Sequence, residues 1–158
     1  MNDHITTAKI EADPVVPVIH ITRDFQATPA QVIQAHVDPE LFVKWVGPNS
    51  RTVIIDHWDA RTGGSWRYTD NTDEDVQAFR GCFHEIGDGR LVQTFTWEGM
   101  PEGVALETMT VTDLGDGWSR LRASSLTDSF EGRDAWLGSG MEVGVNDGYA
   151  KLDALLKQ

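Results

Sequence analysis

Cysteine is nearly absent from this sequence, since Cys82 is the only one among 158 residues. A single cysteine excludes an intrachain disulfide, so the chain has no covalent cross-link to stabilise its fold. Disulfides are typical of secreted proteins, and their absence favours a cytoplasmic location. Residues 1–13 are polar and lack the apolar stretch of a signal peptide, which agrees with that expectation. We expect Cys82 to be buried and unreactive, because it lies in a long predicted strand.

Basic residues and long apolar runs are also scarce. The sequence has 13 Lys and Arg against 25 Asp and Glu, a formal net charge of −12. Because a protein that neutralises phosphates needs a basic face, this balance argues against nucleic acid and anionic lipid as partners. No segment approaches the roughly 20 apolar residues of a membrane helix, so we predict no membrane insertion.

The sequence contains no motif for metal, nucleotide or serine-hydrolase chemistry. Its five histidines are scattered, and no pair has metal-ligand spacing such as His-x-x-x-His. No Gly-x-Ser-x-Gly elbow is present, and no Gly-x-Gly-x-x-Gly joins a strand to a helix. We therefore predict no metal and no cofactor.

The pattern that is present predicts one α+β domain over residues 15–158, preceded by a flexible lead-in over residues 1–14. Thr28-Pro29 and Asp38-Pro39 are typical helix starts and predict two short helices after the first strand. Apolar residues at helical spacing predict one long helix over about 133–156. The predicted strands are residues 15–27, 52–59, 65–70, 76–86, 91–97, 105–113 and 118–125.

Short turns between successive strands predict an antiparallel meander. A curved sheet of about seven strands then has one face to cover, and the C-terminal helix is the only element long enough to cover it. Gly140, Gly144 and Gly148 recur every four residues along that helix and form a narrow stripe. The stripe leaves two alternatives open: close packing of the helix backbone, or room for a ligand.

Strand alternation places many aromatic and apolar side chains on the face that would meet this helix. Such a concave wall with few charges has the composition of a small-molecule pocket, and a fully packed core is the alternative. The predicted pocket residues are Trp45, Trp66, Tyr68, Phe79, Phe83, Phe95, Trp97, Met109, Met141, Val145 and Tyr149.

An enzyme of this architecture would need a titratable side chain inside the apolar wall. Glu107 is in phase with Met109 and is one candidate for a catalytic acid or base. His84 is the other. A solvated surface position is the alternative for each.

Eight short motifs occur in order over residues 18–156. They are Ile21-Thr22-Arg23-Asp24-Phe25 with Ala27-Thr28-Pro29, Asp38-Pro39-Glu40, Trp45-Val46-Gly47-Pro48, Gly63-Gly64-Ser65-Trp66-Arg67-Tyr68, Phe79-Arg80-Gly81, residues 90–95 (RLVQTF), residues 107–111 (ETMTV) and residues 140–149 (GMEVGVNDGY). Together they resemble the START-like, or SRPBCC, superfamily, and more narrowly the bacterial homologues of the activator of Hsp90 ATPase. The resemblance implies the helix-grip fold, in which a curved sheet wraps around a long C-terminal helix.

The resemblance also implies a range of functions, because the superfamily includes lipid carriers, hormone receptors, polyketide cyclases and co-chaperones. A domain that binds a small apolar or amphipathic molecule is our leading hypothesis. An enzyme of the cyclase or dehydratase type is the second, and a co-chaperone with a chaperone partner is the third. Val46 and Val145 stand where the family often has tryptophan, which removes aromatic bulk near the expected pocket.

Overall fold

The computed structural model describes residues 3–158. Over that range the chain forms one antiparallel sheet of eight strands and four helices. The elements are β1 (Lys9–Ala12), β2 (Val18–Phe25), α1 (Pro29–Val37), α2 (Pro39–Trp45), β3 (Thr52–Trp58), β4 (Ser65–Asn71), β5 (Val76–Ile86), β6 (Arg90–Trp97), β7 (Ala105–Gly115), β8 (Trp118–Leu126), α3 (Phe130–Leu137) and α4 (Met141–Leu156).

The strand order is β1-β2-β8-β7-β6-β5-β4-β3, and every neighbouring pair is antiparallel. Strands β3 to β8 follow one another as the predicted meander, and β2 joins at β8. This arrangement confirms the α+β prediction of a curved antiparallel sheet with a long C-terminal helix. None of the helices within residues 3–158 is long and apolar enough to cross a membrane.

The eighth strand, β1, lies inside the segment that the sequence analysis treated as a flexible lead-in. Lys9 pairs with Thr22 and Ala12 with Ile19, so this edge strand is hydrogen-bonded to β2. It has only four residues, most of them exposed, and therefore carries too little alternation to be recognised. Met1 and Asn2, also part of the predicted lead-in, lie outside the described residues.

Capping side chains fix the starts of α1 and α2 where the sequence predicted them. Thr28 Oγ1 accepts a hydrogen bond from the Gln31 amide at 3.2 Å, and Gln31 Oε1 accepts from the Thr28 amide at 2.9 Å. This reciprocal pair is a capping box. Asp38 caps α2 by accepting from the Glu40 amide at 2.9 Å. Each cap contributes about 1 kcal/mol.

The predicted single C-terminal helix is two helices, which corrects the sequence analysis. Helix α3 ends at Leu137 and α4 begins at Met141. Between them Gly140 has φ +87°, a left-handed conformation that no residue inside a right-handed helix adopts. Gly138 and Gly140 are two positions apart, and each weakens a helix by about 1 kcal/mol.

Helix α4 is held by both sides of the sheet. Asn146 Oδ1 accepts a hydrogen bond from the Ala8 amide, next to β1, at 3.0 Å. The following residue, Asp147, accepts from the Asn49 amide, just before β3, at 3.0 Å. Because β1 and β3 are the two edges of the sheet, the sheet wraps around the helix. We call the face of the sheet toward α4 the concave face.

The glycine stripe of α4 packs against α2 and the loop after it. A Cβ at Gly148 would lie 3.1 Å from the carbonyl oxygen of Trp45, and a Cβ at Gly144 would lie 3.5 Å from Pro48 Cδ. The structure therefore supports close backbone packing, the first of the two alternatives for this stripe.

Candidate functional site

Three polar side chains lie side by side on the concave face, and we call them the polar row. Gln93 of β6 is paired in register with Glu107 of β7, which is paired with Ser125 of β8. Paired residues on neighbouring strands project from the same face, so the three side chains meet. Gln93 Nε2 donates a hydrogen bond to Glu107 Oε1 at 2.9 Å, and Ser125 Oγ donates to Glu107 Oε2 at 3.1 Å.

The carboxyl group of Glu107 is largely surrounded by protein atoms. Burial raises the pKa of its carboxyl above the ordinary value, although the hydrogen bonds from Gln93 and Ser125 oppose that shift. The carboxyl lies close enough to Tyr68 of β4 and Tyr149 of α4 for its charge to act on both phenols. Burial raises the pKa of both phenols, and the negative charge of Glu107 raises it further. Both tyrosines are therefore neutral near pH 7.

Four aromatic rings on β4, β5 and β6 form a continuous aromatic wall beside the polar row. Trp66 stacks on Tyr68 with ring centroids 5.5 Å apart, and it lies 5.7 Å from Phe95. Phe79 lies 5.3 Å from both Tyr68 and Phe95. The Trp66 Nε1 donor is buried and has no hydrogen-bond partner among residues 3–158. The wall thus combines a large apolar surface with an unpaired donor.

The predicted pocket residues differ in how far they are covered. Trp45, Trp66, Tyr68, Phe83 and Tyr149 are buried. Five others pack against the core but stay half-buried: Phe79, Phe95, Met109, Met141 and Val145. Glu107, Gln93 and Ser125 are half-buried as well. Accessible surface is therefore retained around the polar row.

Trp45 and Phe83 contribute to the packing behind that surface. Trp45 Nε1 donates a hydrogen bond to the Ala35 carbonyl at 2.9 Å, and its ring stacks on Tyr149 at 6.0 Å. Phe83 is 1% exposed and meets Trp58 edge-on at 5.7 Å. Trp45 thus positions Tyr149, and Phe83 lies directly beside the polar row because it is paired in register with Gln93.

The comparison with known families agrees with the fold described above. Residues 26–157 match the family model described as "Activator of Hsp90 ATPase homolog 1-like protein". The chain belongs to this family. As a member of the AHSA1-like family it has the helix-grip fold of the SRPBCC superfamily, so the resemblance stated from the sequence is confirmed. Among curated proteins, no sequence matches this chain significantly.

Solved structures share the AHSA1-like fold over nearly the whole chain. Protein Ms6760 from Mycobacterium smegmatis is 22% identical with a TM-score of 0.83, covering 94% of this chain and 95% of its own. A protein from Arthrobacter aurescens is 21% identical with a TM-score of 0.86, covering 96% and 92%. The AHSA1 protein from Silicibacter pomeroyi is 18% identical with a TM-score of 0.70, covering 89% and 97%. Identities this low establish the fold alone.

Two of the predicted site residues of this AHSA1-like domain lie away from the polar row. His84 is exposed, as alternation from the inward-facing Phe83 would predict, and it lies at a bulge between Phe83 and Glu85. Trp97 is paired with Phe79 and shares its face, but its ring is 37% exposed. Its Nε1 donates a hydrogen bond to Gln77 at 2.7 Å, which places Trp97 at the rim of the concave face.

Cys82 corrects another expectation, since it is exposed rather than buried. Its neighbours Gly81 and Phe83 belong to the concave side of β5, so strand alternation turns the Cys82 thiol to the convex side. Within residues 3–158, no group of three His, Cys, Asp or Glu side chains is placed to hold a metal ion.

Three residues of this site, and one buried charge elsewhere on the concave face, were not predicted from the sequence. Gln93 and Ser125 are in phase with the predicted inward residues of their strands, so alternation alone could have found them. Arg23 of β2 is 4% exposed, with Nη1 3.8 Å from Asp153 of α4. Trp136, which lies on α3 and not on a strand, meets Phe95 edge-on at 5.5 Å and covers part of the aromatic wall. Its position depends on the break before α4, which the sequence analysis did not predict.

A surface depression of about 460 Å³ lies elsewhere, between α1, α2 and the C-terminal end of α4. Gln31, Leu41 and Leu155 are among its lining residues, and none of its lining comes from the sheet. It is separate from the polar row.

Proposed function

We propose that this AHSA1-like domain binds a small apolar or amphipathic molecule between the concave face and α4. We call this proposed space the chamber. The observation that carries the proposal is the environment of Glu107, which is enclosed by protein and yet keeps accessible surface together with its neighbours. A carboxyl group in a packed core would have no such surface. The accessible surface therefore supports free space beside the polar row.

The composition around that surface also supports a ligand site. Small-molecule sites combine a mostly apolar wall with a few polar groups that orient the ligand. Here the aromatic wall provides the first and the polar row provides the second. Val46 and Val145, in place of the family's tryptophans, leave additional room near α4. A cytoplasmic location is part of the proposal, because the exposed free thiol of Cys82 is best preserved in a reducing compartment.

A thermal-shift screen against lipids, polyketides and aromatic metabolites tests the proposal. We expect at least one class to raise the melting temperature, because a ligand that binds the folded state stabilises it by mass action. In the variant Ala123→Leu, the larger side chain on the concave face of β8 should fill part of the chamber. This variant should abolish the shift.

The matched control is Ala150→Leu, which adds the same atoms at an exposed position of α4. It should leave the ligand-induced shift unchanged. If both variants respond to the same ligand as the wild type does, the ligand binds outside the chamber and the proposal is wrong.

A cyclase or dehydratase activity is a second candidate function, favoured by the raised pKa of Glu107. A carboxyl whose pKa lies closer to neutrality can exchange protons with a bound substrate. Compounds identified in the screen can be incubated with the protein and followed by mass spectrometry for loss of water or ring closure. Product formed by the wild type and not by Glu107→Gln would support catalysis, whereas binding without conversion would leave the domain a binding protein.

A further inference from the structure

We infer that the ligand presents a hydroxyl or amine hydrogen-bond donor, and no carboxylate, to the polar row. This inference rests on the proposed function and adds the chemical class of the ligand. It depends on the hydrogen bonds of Glu107 and on the charges around the chamber.

The polar row mainly offers hydrogen-bond acceptors. Glu107 receives one hydrogen bond on each oxygen, from Gln93 at 2.9 Å and from Ser125 at 3.1 Å. An ionised carboxylate has about four lone-pair positions, so roughly two stay available to a ligand. The Ser125 hydroxyl hydrogen is directed at Glu107, which leaves Ser125 Oγ as an acceptor. At the polar row a ligand therefore has to supply the hydrogen, whereas Trp66 Nε1 in the aromatic wall can donate to an acceptor of the ligand.

Both oxygens of Glu107 accept hydrogen bonds, as those of an ionised carboxylate do, so a ligand carboxylate would meet a like charge in a site of low dielectric constant. Two like charges about 4 Å apart repel strongly there, and one of the two groups would have to take up a proton. Tyr68 and Tyr149 bring no positive charge to offset this repulsion, because both phenols are neutral near pH 7. Neutral and cationic ligands avoid the penalty.

Arg23 does not supply the missing positive charge. Its Nη1 lies 3.8 Å from Asp153, and its side chain is 5% exposed. Arg23 is paired with Leu121 of β8, and Leu121 is paired with Val111 of β7, so Arg23 and Val111 lie at the same height in the sheet. Val111 is four residues from Glu107, which corresponds to about 13 Å along a strand.

The end of the concave face near Arg23 is also filled. Phe25, Leu121 and Leu152 are there, and each is 0% exposed. The accessible surface lies instead around Glu107, Phe95 and Met109. A ligand in the chamber is therefore exposed to the charge of Glu107 and remote from that of Arg23.

Three naphthalenes with one ring system and different substituents test the inference by calorimetric titration near pH 7.5. 2-Naphthol donates a hydrogen bond, 2-methoxynaphthalene has the same ring and oxygen without the hydrogen, and 2-naphthoate is an anion. We expect 2-naphthol to bind at least tenfold more tightly than 2-methoxynaphthalene, since a hydrogen bond to a charged acceptor has that effect. We expect 2-naphthoate to bind at least tenfold more weakly than 2-naphthol.

The variant Glu107→Gln, which keeps the shape and removes the charge, should reduce the preference for 2-naphthol over 2-naphthoate by at least tenfold. The matched control is Glu102→Gln, an exposed residue in the loop between β6 and β7, and it should preserve the wild-type preference. Circular dichroism confirms that both variants are folded.

The outcomes separate this inference from the proposed function. Binding of 2-naphthoate as tight as that of 2-naphthol, sensitive to Ala123→Leu, would overturn the inference and leave the chamber in place. Failure of 2-naphthol to bind would also overturn the inference. If the screened lipids, polyketides and aromatic metabolites fail to bind as well, the proposed function is wrong too.

Discussion

A carboxyl group enclosed by aromatic and aliphatic side chains, as Glu107 is, costs folding free energy whenever it ionises. Gln93 and Ser125 reduce that cost by donating to both oxygens, but burial has the larger effect on the pKa. A residue kept under these conditions is a reasonable place to look for function. Because ionisation of Glu107 costs folding free energy, its pKa can be followed through the pH dependence of protein stability.

The stability difference between wild type and Glu107→Gln should change with pH. A raised folded-state pKa means that the folded state holds the proton more tightly than the unfolded state does. Stability from this group is therefore present below its ordinary pKa of 4.5 and is lost as pH rises through the folded-state pKa. Urea unfolding should show that the free energy of unfolding of Glu107→Gln, relative to that of the wild type, is higher at pH 8 than at pH 5. A constant difference across this range would contradict the raised pKa.

His36 of α1 should destabilise the protein in acid. It is buried, its Nδ1 lies 2.7 Å from the Val32 carbonyl oxygen, and its Nε2 has no partner within residues 3–158. Burial lowers its pKa from 6.5 to about 4. Between these two pKa values the imidazole is protonated in the unfolded chain and neutral in the folded chain. About 3 kcal/mol of stability is therefore lost as pH falls from 6.5 toward 4.

Urea unfolding over that pH range measures this loss. His36→Phe should remove it, because phenylalanine has no proton to take up. His84→Phe replaces an exposed histidine and should keep the wild-type pH dependence. Equal slopes for His36→Phe and wild type would show that another group causes the loss in acid.

Strand alternation gave the inward position of Glu107 correctly, because β7 is regular on both sides of it. It would have given Gln93 and Ser125 by the same reasoning. It also puts His84 on the face opposite Phe83, so the choice of His84 as a candidate catalytic group went against the alternation of β5. Residue positions are thus predictable where a strand is regular.

At the scale of elements, helix α4 shows how one residue type can serve different contacts. Gly144 and Gly148 are one turn apart and both face α2 and the loop that follows it. A methyl group at Gly144 would make an ordinary contact with the Pro48 side chain, whereas one at Gly148 would press on the Trp45 carbonyl oxygen. Glycine is therefore required at position 148, whereas position 144 can accommodate a larger residue.

The substitution Gly148→Ala should destabilise the protein by about 1–3 kcal/mol, because a backbone carbonyl cannot move aside easily. Gly144→Ala should stabilise it by up to about 1 kcal/mol through the higher helix propensity of alanine. Chemical denaturation of the two variants measures both effects. Two variants with the same sign and size would contradict the packing described here.

Helix starts were predictable and the last helix break was not. Thr28 and Asp38 cap α1 and α2 through contacts with residues two or three positions further along, so a short stretch of sequence is enough to predict them. The break before α4 depends on the left-handed conformation of Gly140 and on Trp136 packing over Phe95. Gly138 and Gly140 weaken the helix locally, whereas the contact of Trp136 with Phe95 joins distant parts of the chain and is not contained in a local pattern.

At the scale of the whole molecule, α4 connects the two edges of the sheet. Asn146→Ala should loosen β1, because the Ala8 amide loses its acceptor. Asp147→Ala should loosen the start of β3 at Asn49 instead. Each loss should cost about 1 kcal/mol.

Hydrogen exchange measures the two effects separately. Asn146→Ala should speed exchange of the Ala8 amide and of β1 while leaving the Asn49 amide unchanged, and Asp147→Ala should do the reverse. Each variant is the control for the other. Faster exchange at both edges in either variant would mean that the helix moves as a unit, contrary to this prediction.

Consecutive residues of α4 reach opposite rims of the sheet, and this geometry constrains the chain in evolution and in engineering. Each residue of an α-helix advances by about 100°, so inserting or deleting one residue between Asp147 and Tyr149 would rotate both acceptors relative to the buried Tyr149 and Leu152. The loop before the helix can absorb a change of length, but this part of the helix cannot. In α4 the angular setting of the helix matters as much as its number of turns.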